Sequence, residues 1–118
     1  MNHLADAAAL FKLLSHPSRL AILHVLRDGE QCVCHMEAVL GLRQAYISQH
    51  LMVLRQAGLV TDRREGWNVF YRVVKPEVYA LLEAAFATLQ PAGAPPLLFC
   101  LEKPVACPCP KCQLEPVV

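Results

Sequence analysis

The sequence predicts a mainly α fold (α+β) carrying one β-hairpin, on three observations. Apolar residues recur at helical spacing from Leu4 to Leu59 and again from Val78 to Leu89. Between those blocks, residues 60–74 switch to an extended pattern rich in Val, Tyr and Phe around a single Gly66. Seven of the nine prolines then lie between Pro91 and Pro116, where neither a helix nor an interior strand can persist. The chain of 118 residues is therefore expected to divide into a folded domain over 1–89 and a Pro/Cys-rich tail over 90–118.

The elements follow in order. Leu4 to Leu14 is a helix with Leu10, Leu13 and Leu14 on its apolar side. Ser15-His16-Pro17-Ser18 ends it and starts the next. Ser15 or His16 is expected to cap, and Pro17 suits a first helical turn. Arg19 to Arg27 is helical through Leu20, Leu23 and Leu26, and Asp28-Gly29 stops it. A third helix opens at Cys32-Val33-Cys34 and runs to about Leu40, where Gly41-Leu42 turns the chain.

The fourth helix, Arg43 to Ala57, ends at Gly58 and has two unlike faces. At 100° per residue, Ile47, Leu51, Leu54 and Gly58 share one face; Ala45, Ser48, Gln49 and Met52 share the other. A face of short, neutral, hydrogen-bonding groups suits contact with base edges better than it suits bulk water. Two helices joined by a glycine turn, the second with such a face, make a helix-turn-helix whose second helix reads the major groove. The groove-facing candidates are Gln44, Ala45, Tyr46, Ser48 and Gln49, with Arg43 at a phosphate. His50, at the flank of the core face, is placed within reach of another phosphate.

The hairpin has arms Val60–Arg63 and Asn68–Val73 and a tip at Arg64–Trp67. Directly after a recognition helix, with Arg63 and Arg64 near its tip, it reads as a two-stranded β wing over phosphates or the minor groove. Pro76 starts a last helix, 77–89, whose broad apolar face (Val78, Leu81, Leu82, Ala85, Phe86, Leu89) exceeds what so small a core needs. With the equally apolar first helix it is expected to form a helical dimer interface.

Charge supports the same division. Residues 43–72 hold five arginines against Asp62 and Glu65, a net +3, whereas residues 76–118 hold four glutamates against two lysines, a net −2. The positive excess is small, so operator affinity is expected from two copies rather than one. No apolar run is long enough for a bilayer span, and the N-terminus has no basic block followed by an apolar one. A cytoplasmic protein without membrane contact is expected. No Ser-His-Asp, Cys-His or paired-carboxylate arrangement stands out, so enzymatic activity is not expected.

Six cysteines in a cytoplasmic chain point to metal or thiol redox chemistry rather than to a disulfide framework. Cys32 and Cys34 form one pair; Cys100, Cys107, Cys109 and Cys112 lie in the tail. Cys100, among Leu98, Phe99 and Leu101, reads as a small apolar residue. On a regular helix, residues two apart point about 200° away from each other; on extended backbone they point the same way. Cys32 and Cys34 can therefore share an ion only at an irregular helix start.

These residues resemble the ArsR/SmtB family of metal-responsive repressors. The resemblance rests on Glu30-Gln31-Cys32-Val33-Cys34-His35-Met36, on Ile47-Ser48-Gln49-His50-Leu51 with Leu54 to Val60, and on Arg64-Glu65-Gly66 and Phe70-Tyr71-Arg72, and covers roughly residues 4–89. It implies a homodimer that represses an operator when free of inducer and leaves it when bound. It also implies Cys32 and Cys34 as thiolate ligands for a thiophilic ion such as arsenite, cadmium or lead. The sequence departs from the family pattern at Glu37, where some arsenic sensors have a third cysteine, at His35, where Asp is usual, and in the last helix, which lacks the zinc-site residues. A third thiol must then come from elsewhere, and Cys107, Cys109 and Cys112, from the same or the partner subunit, are the candidates. Two alternatives stand beside this reading: a thiol redox or persulfide-responsive repressor of the same fold, and a metal-buffering protein whose tail binds ions and which has no DNA target.

Overall fold

The structure, a computed structural model, describes residues 3–90. Its elements are α1 (His3–Leu13), α2 (Pro17–Val25) with a 3-10 turn at Leu26–Asp28, β1 (Gln31–Cys32), α3 (Val33–Leu40), α4 (Gln44–Gln56), β2 (Val60–Glu65), β3 (Asn68–Val73) and α5 (Glu77–Leu89). It is a helical protein with a β wing, as the periodicity predicts. Cys100, Cys107, Cys109 and Cys112 lie outside the described residues.

The core sits where α2, α3 and α4 meet. Ile22, Leu23, Met36, Ile47, Leu51 and Leu54 are fully buried there, and Leu59, Val60 and Val78 close the cluster from the wing and α5. Each of these helices contributes one apolar stripe, and the stripes have no other partner that keeps them from water. Gly41 holds the turn between α3 and α4 with φ +67°, the left-handed cap that L-residues adopt only at a cost.

Three local details differ from the sequence expectation. Ser15 does not cap α2; its hydroxyl donates to the Lys12 carbonyl at 2.7 Å and so closes α1. His16 takes the N-cap position of α2 without a side-chain cap bond, while Pro17 occupies the first turn. The hairpin arms run two residues further, to Glu65, leaving only Gly66 and Trp67 as the loop. A positive φ of 60° at Gly66, the first loop residue, fits a tight turn that preserves strand twist.

The two-stranded wing is as expected, and a short third strand joins it on one side. The sheet order is β1-β3-β2, with Gln31 opposite Tyr71 and Cys32 opposite Phe70. Two residues of strand are too few for a periodic signal, so only the partner β3 makes β1 recognisable.

The outer helices are sparsely covered. Helix α1 buries no residue, and α5 buries Val78 alone. The Tyr79 hydroxyl anchors α5 by donating to the Leu23 carbonyl at 2.6 Å, and burial raises its pKa to about 12. Among the described residues no helix is long and apolar enough to cross a membrane.

Candidate nucleic-acid interface and thiol pair

Helix α4 shows the two faces its sequence implies. Ile47, Leu51 and Leu54 are buried; Arg43, Gln44, Ala45, Tyr46 and Gln49 are exposed, and Ser48 is half-buried. Arg43 is the N-cap residue in extended backbone, just ahead of the face that would enter a groove. The Tyr46 hydroxyl lies 3.2 Å from the Ser18 hydroxyl, which ties the start of α4 to the start of α2. Arg64 is exposed on the wing.

Two expected phosphate contacts are placed differently. His50 is turned inward and is only 8% exposed. Arg19 donates from Nε to its Nδ1 at 3.0 Å and from Nη1 to the Leu13 carbonyl at 2.9 Å, so one guanidinium joins α1, α2 and α4. Accepting at Nδ1 places the ring proton on Nε2, which is buried and lacks a hydrogen-bond partner among the described residues. The Tyr46 ring packs edge-on against it at 4.5 Å. Arg63 is exposed, but its charge is shared between two carboxylates. It donates to Glu30 at 2.7 and 3.2 Å and to Glu65 at 2.7 Å, with its guanidinium 4.8 Å from the Phe70 ring centre. Those bonds push its pKa up. Sequence reasoning missed Arg19 and Glu30 because their partners lie 31 and 33 residues away.

Burial, then the charges of Arg19 and His16, holds the His50 pKa below its ordinary value. A base whose folded pKa is lowered takes up a proton more readily when unfolded. Stability is therefore full above about pH 6.5 and is lost as pH falls from there toward the folded value. Thermal melts between pH 8 and about pH 5 should show this decline. His50→Gln, which cannot titrate, should flatten it; an unchanged decline would assign the effect elsewhere.

Cys32 stands just outside α3, on extended backbone at φ −80° and ψ 159°, and its sulfur accepts from the His35 N–H at 3.2 Å as the helix N-cap. Cys34 lies one residue inside the helix. The break in backbone at Val33 lets both side chains converge, with the two sulfurs 2.6 Å apart. That spacing lies between the roughly 2.05 Å of a disulfide and the roughly 3.8 Å between two thiolates on one tetrahedral ion with ~2.3 Å bonds. Among the described residues no group of three or more His, Cys, Asp and Glu side chains is placed to hold an ion.

The pair opens into a cleft of about 240 Å³. One wall is α4, through Gln44 and Ser48; the other is the wing, through Trp67, Asn68, Val69 and Tyr71. Cys32 itself is 2% exposed and belongs to β1, so any movement at the pair bears directly on the wing strand opposite. Trp67, the chain's one tryptophan, is fully exposed at the wing tip and is a built-in fluorescence reporter of this cleft.

Comparison with known proteins gives a consistent picture. Residues 16–62 match the model for "Bacterial regulatory protein, arsR family". The chain is 44% identical over 82 residues to a biofilm growth-associated repressor of Agrobacterium fabrum, covering 70% of each chain. It is 40% identical over 85 residues to the arsenic resistance transcriptional regulator ArsR1 of Pseudomonas putida, covering 71% of this chain and 66% of that one. Among solved structures it resembles reduced HlyU from Vibrio cholerae N16961, with a TM-score of 0.66, 38% identity, and coverage of 74% of this chain and 92% of that one.

Proposed function

The chain belongs to the arsR family of bacterial regulatory proteins and is a winged-helix transcriptional regulator, not an enzyme; from that premise we propose that it is a cytoplasmic, homodimeric repressor released from its operator when a thiophilic metal or metalloid ion binds the Cys32–Cys34 thiolates. One observation carries the reading: two sulfurs 2.6 Å apart at the junction of β1 and α3, facing both the recognition helix and the wing. Arsenite, cadmium and lead are the candidate ions, since thiolates favour soft ions over magnesium or calcium. One or two of Cys107, Cys109 and Cys112 complete the coordination. Arg43, Gln44, Ala45, Tyr46, Ser48, Gln49 and Arg64 supply the DNA contacts. Arg63 joins them only when it is released from Glu30 and Glu65.

The route from ion to DNA is short. Binding fixes one geometry at the N-cap of α3, the helix that supports α4, and at β1, which pairs with the wing. If the operator requires another geometry, the two ligands oppose each other by linkage. A hundredfold loss of operator affinity needs about 2.7 kcal/mol of coupling. Soft ions bind the thiolate, so any thiol proton must leave on binding, and binding strengthens as pH rises.

The same sulfur spacing supports a second reading, a redox or persulfide switch in which the pair closes through a disulfide or polysulfide bridge. Anisotropy of a labelled duplex from the gene's own promoter separates the two. Release by arsenite, cadmium or lead under reducing conditions supports the ion. Release by polysulfide alone, reversed by reductant, supports the switch. Absence of salt-sensitive binding to promoter DNA refutes the repressor.

The dimer is proposed on α1 and α5. Leu4 is 83% exposed, Phe11 57% and Leu89 74%, and a second copy covers them. Phe11→Glu should shift sedimentation to the monomer and weaken operator binding by an order of magnitude or more, since each half-site is then held alone. A Phe11→Glu protein that remains dimeric would move the interface elsewhere.

A further inference from the structure

The thiol pair and the DNA-reading surface share one cleft, and this has a geometric consequence. A recognition helix in the major groove and a wing in the adjacent minor groove are separated on DNA by the sugar–phosphate strand that divides the grooves. On this protein the space between those two elements is the 240 Å³ cleft, with Cys34 in its floor. We infer that the cleft receives the phosphodiester strand of bound DNA, so that a ligand on Cys34 and the DNA strand compete for the same space. The inference rests on the repressor reading above and deepens it: release comes from exclusion at the cleft as well as from a change in shape.

The lining fits a phosphate. Gln44, Ser48, Asn68, Trp67 and Tyr71 all carry hydrogen-bond donors, and among the described residues no acidic side chain lines the cleft. Neutral donors of this kind position a DNA backbone without reading sequence. Cys34 is half-buried, whereas Cys32 is sealed at 2% exposure, so Cys34 carries whatever projects into the cleft. The class of ligand follows: a thiol-bound group releases DNA more effectively the bulkier or more anionic it is.

Charge at constant size tests this without any inducer. In the full-length reduced protein, Cys34→Glu and Cys34→Gln differ only in charge, and both suit the second position of a helix. Cys34→Glu should bind promoter DNA at least about tenfold more weakly than Cys34→Gln at low salt, with the gap closing as salt rises. Ala38→Glu, on the exposed side of α3 and outside the cleft, should cost clearly less. Asn68→Asp charges the opposite wall at almost no change in size and should reproduce the salt-sensitive loss, which covers the case in which the Cys34 variants fail to fold. Equal affinity of Cys34→Glu and Cys34→Gln, or a loss no greater than that of Ala38→Glu, overturns the inference while leaving the repressor intact. Unmodified protein that binds no promoter duplex overturns the repressor and the inference together.

Discussion

Changing Cys32 and Cys34 together to serine is expected to yield a protein that still binds its operator but needs at least about a hundredfold more arsenite, cadmium or lead for release. Serine keeps an oxygen where the Cys32 sulfur accepts the His35 N–H, and serine is itself a favoured N-cap, so α3 should remain formed. What disappears is soft, deprotonatable sulfur. A neutral hydroxyl at neutral pH neither binds a thiophilic ion strongly nor forms a persulfide. Single changes distinguish the roles of the two thiols. Cys34→Ser removes the half-buried sulfur that lines the cleft; Cys32→Ser removes the buried one that sits in the sheet opposite Phe70. Titrating each variant on labelled promoter DNA, with and without ion, measures the coupling directly. Release at wild-type ion concentrations by the double variant would take the sensor away from this pair and leave the tail thiols as the place to look.

Leu51→Ala is expected to destabilise the domain by about 2–5 kcal/mol. Leu51 is fully buried in α4, among the residues that hold the recognition helix on α2 and α3. Truncation removes apolar contact and leaves a cavity that close-packed neighbours fill only in part. Set against a total stability of roughly 5–15 kcal/mol, a loss of that size lowers the melting temperature by more than about 10 °C in a domain of this length. Met52, the next residue, is 60% exposed on the face assigned to DNA, and Met52→Ala should stay within about 0.5 kcal/mol of wild type. Urea melts of the two variants therefore test the orientation of α4 independently of any DNA. Similar losses in both would mean that α4 is rotated from the position described.

The two faces of α4, the hairpin after it and the glycine turns were all legible in the sequence. Each follows from residues within one or two turns of each other: apolar spacing at 3.6, alternation at 2, and Gly41 or Gly66 where φ must be positive. The backbone physics of the cysteine spacing was also local, because whether Cys32 and Cys34 converge depends only on the conformation around Val33. Tertiary structure alone decided which conformation that is. Strand β1 exists because β3 pairs with it, and that pairing holds Cys32 extended beside the helical Cys34. It also decided the partners of the long side chains. Arg63 turns to Glu30, and His50 turns inward to Arg19, across more than thirty residues of sequence. A long charged side chain can satisfy itself with phosphate, water or a carboxylate, and the sequence does not say which is within reach. Local rules set the elements, and the packing of those elements determined which groups the thiols and arginines meet.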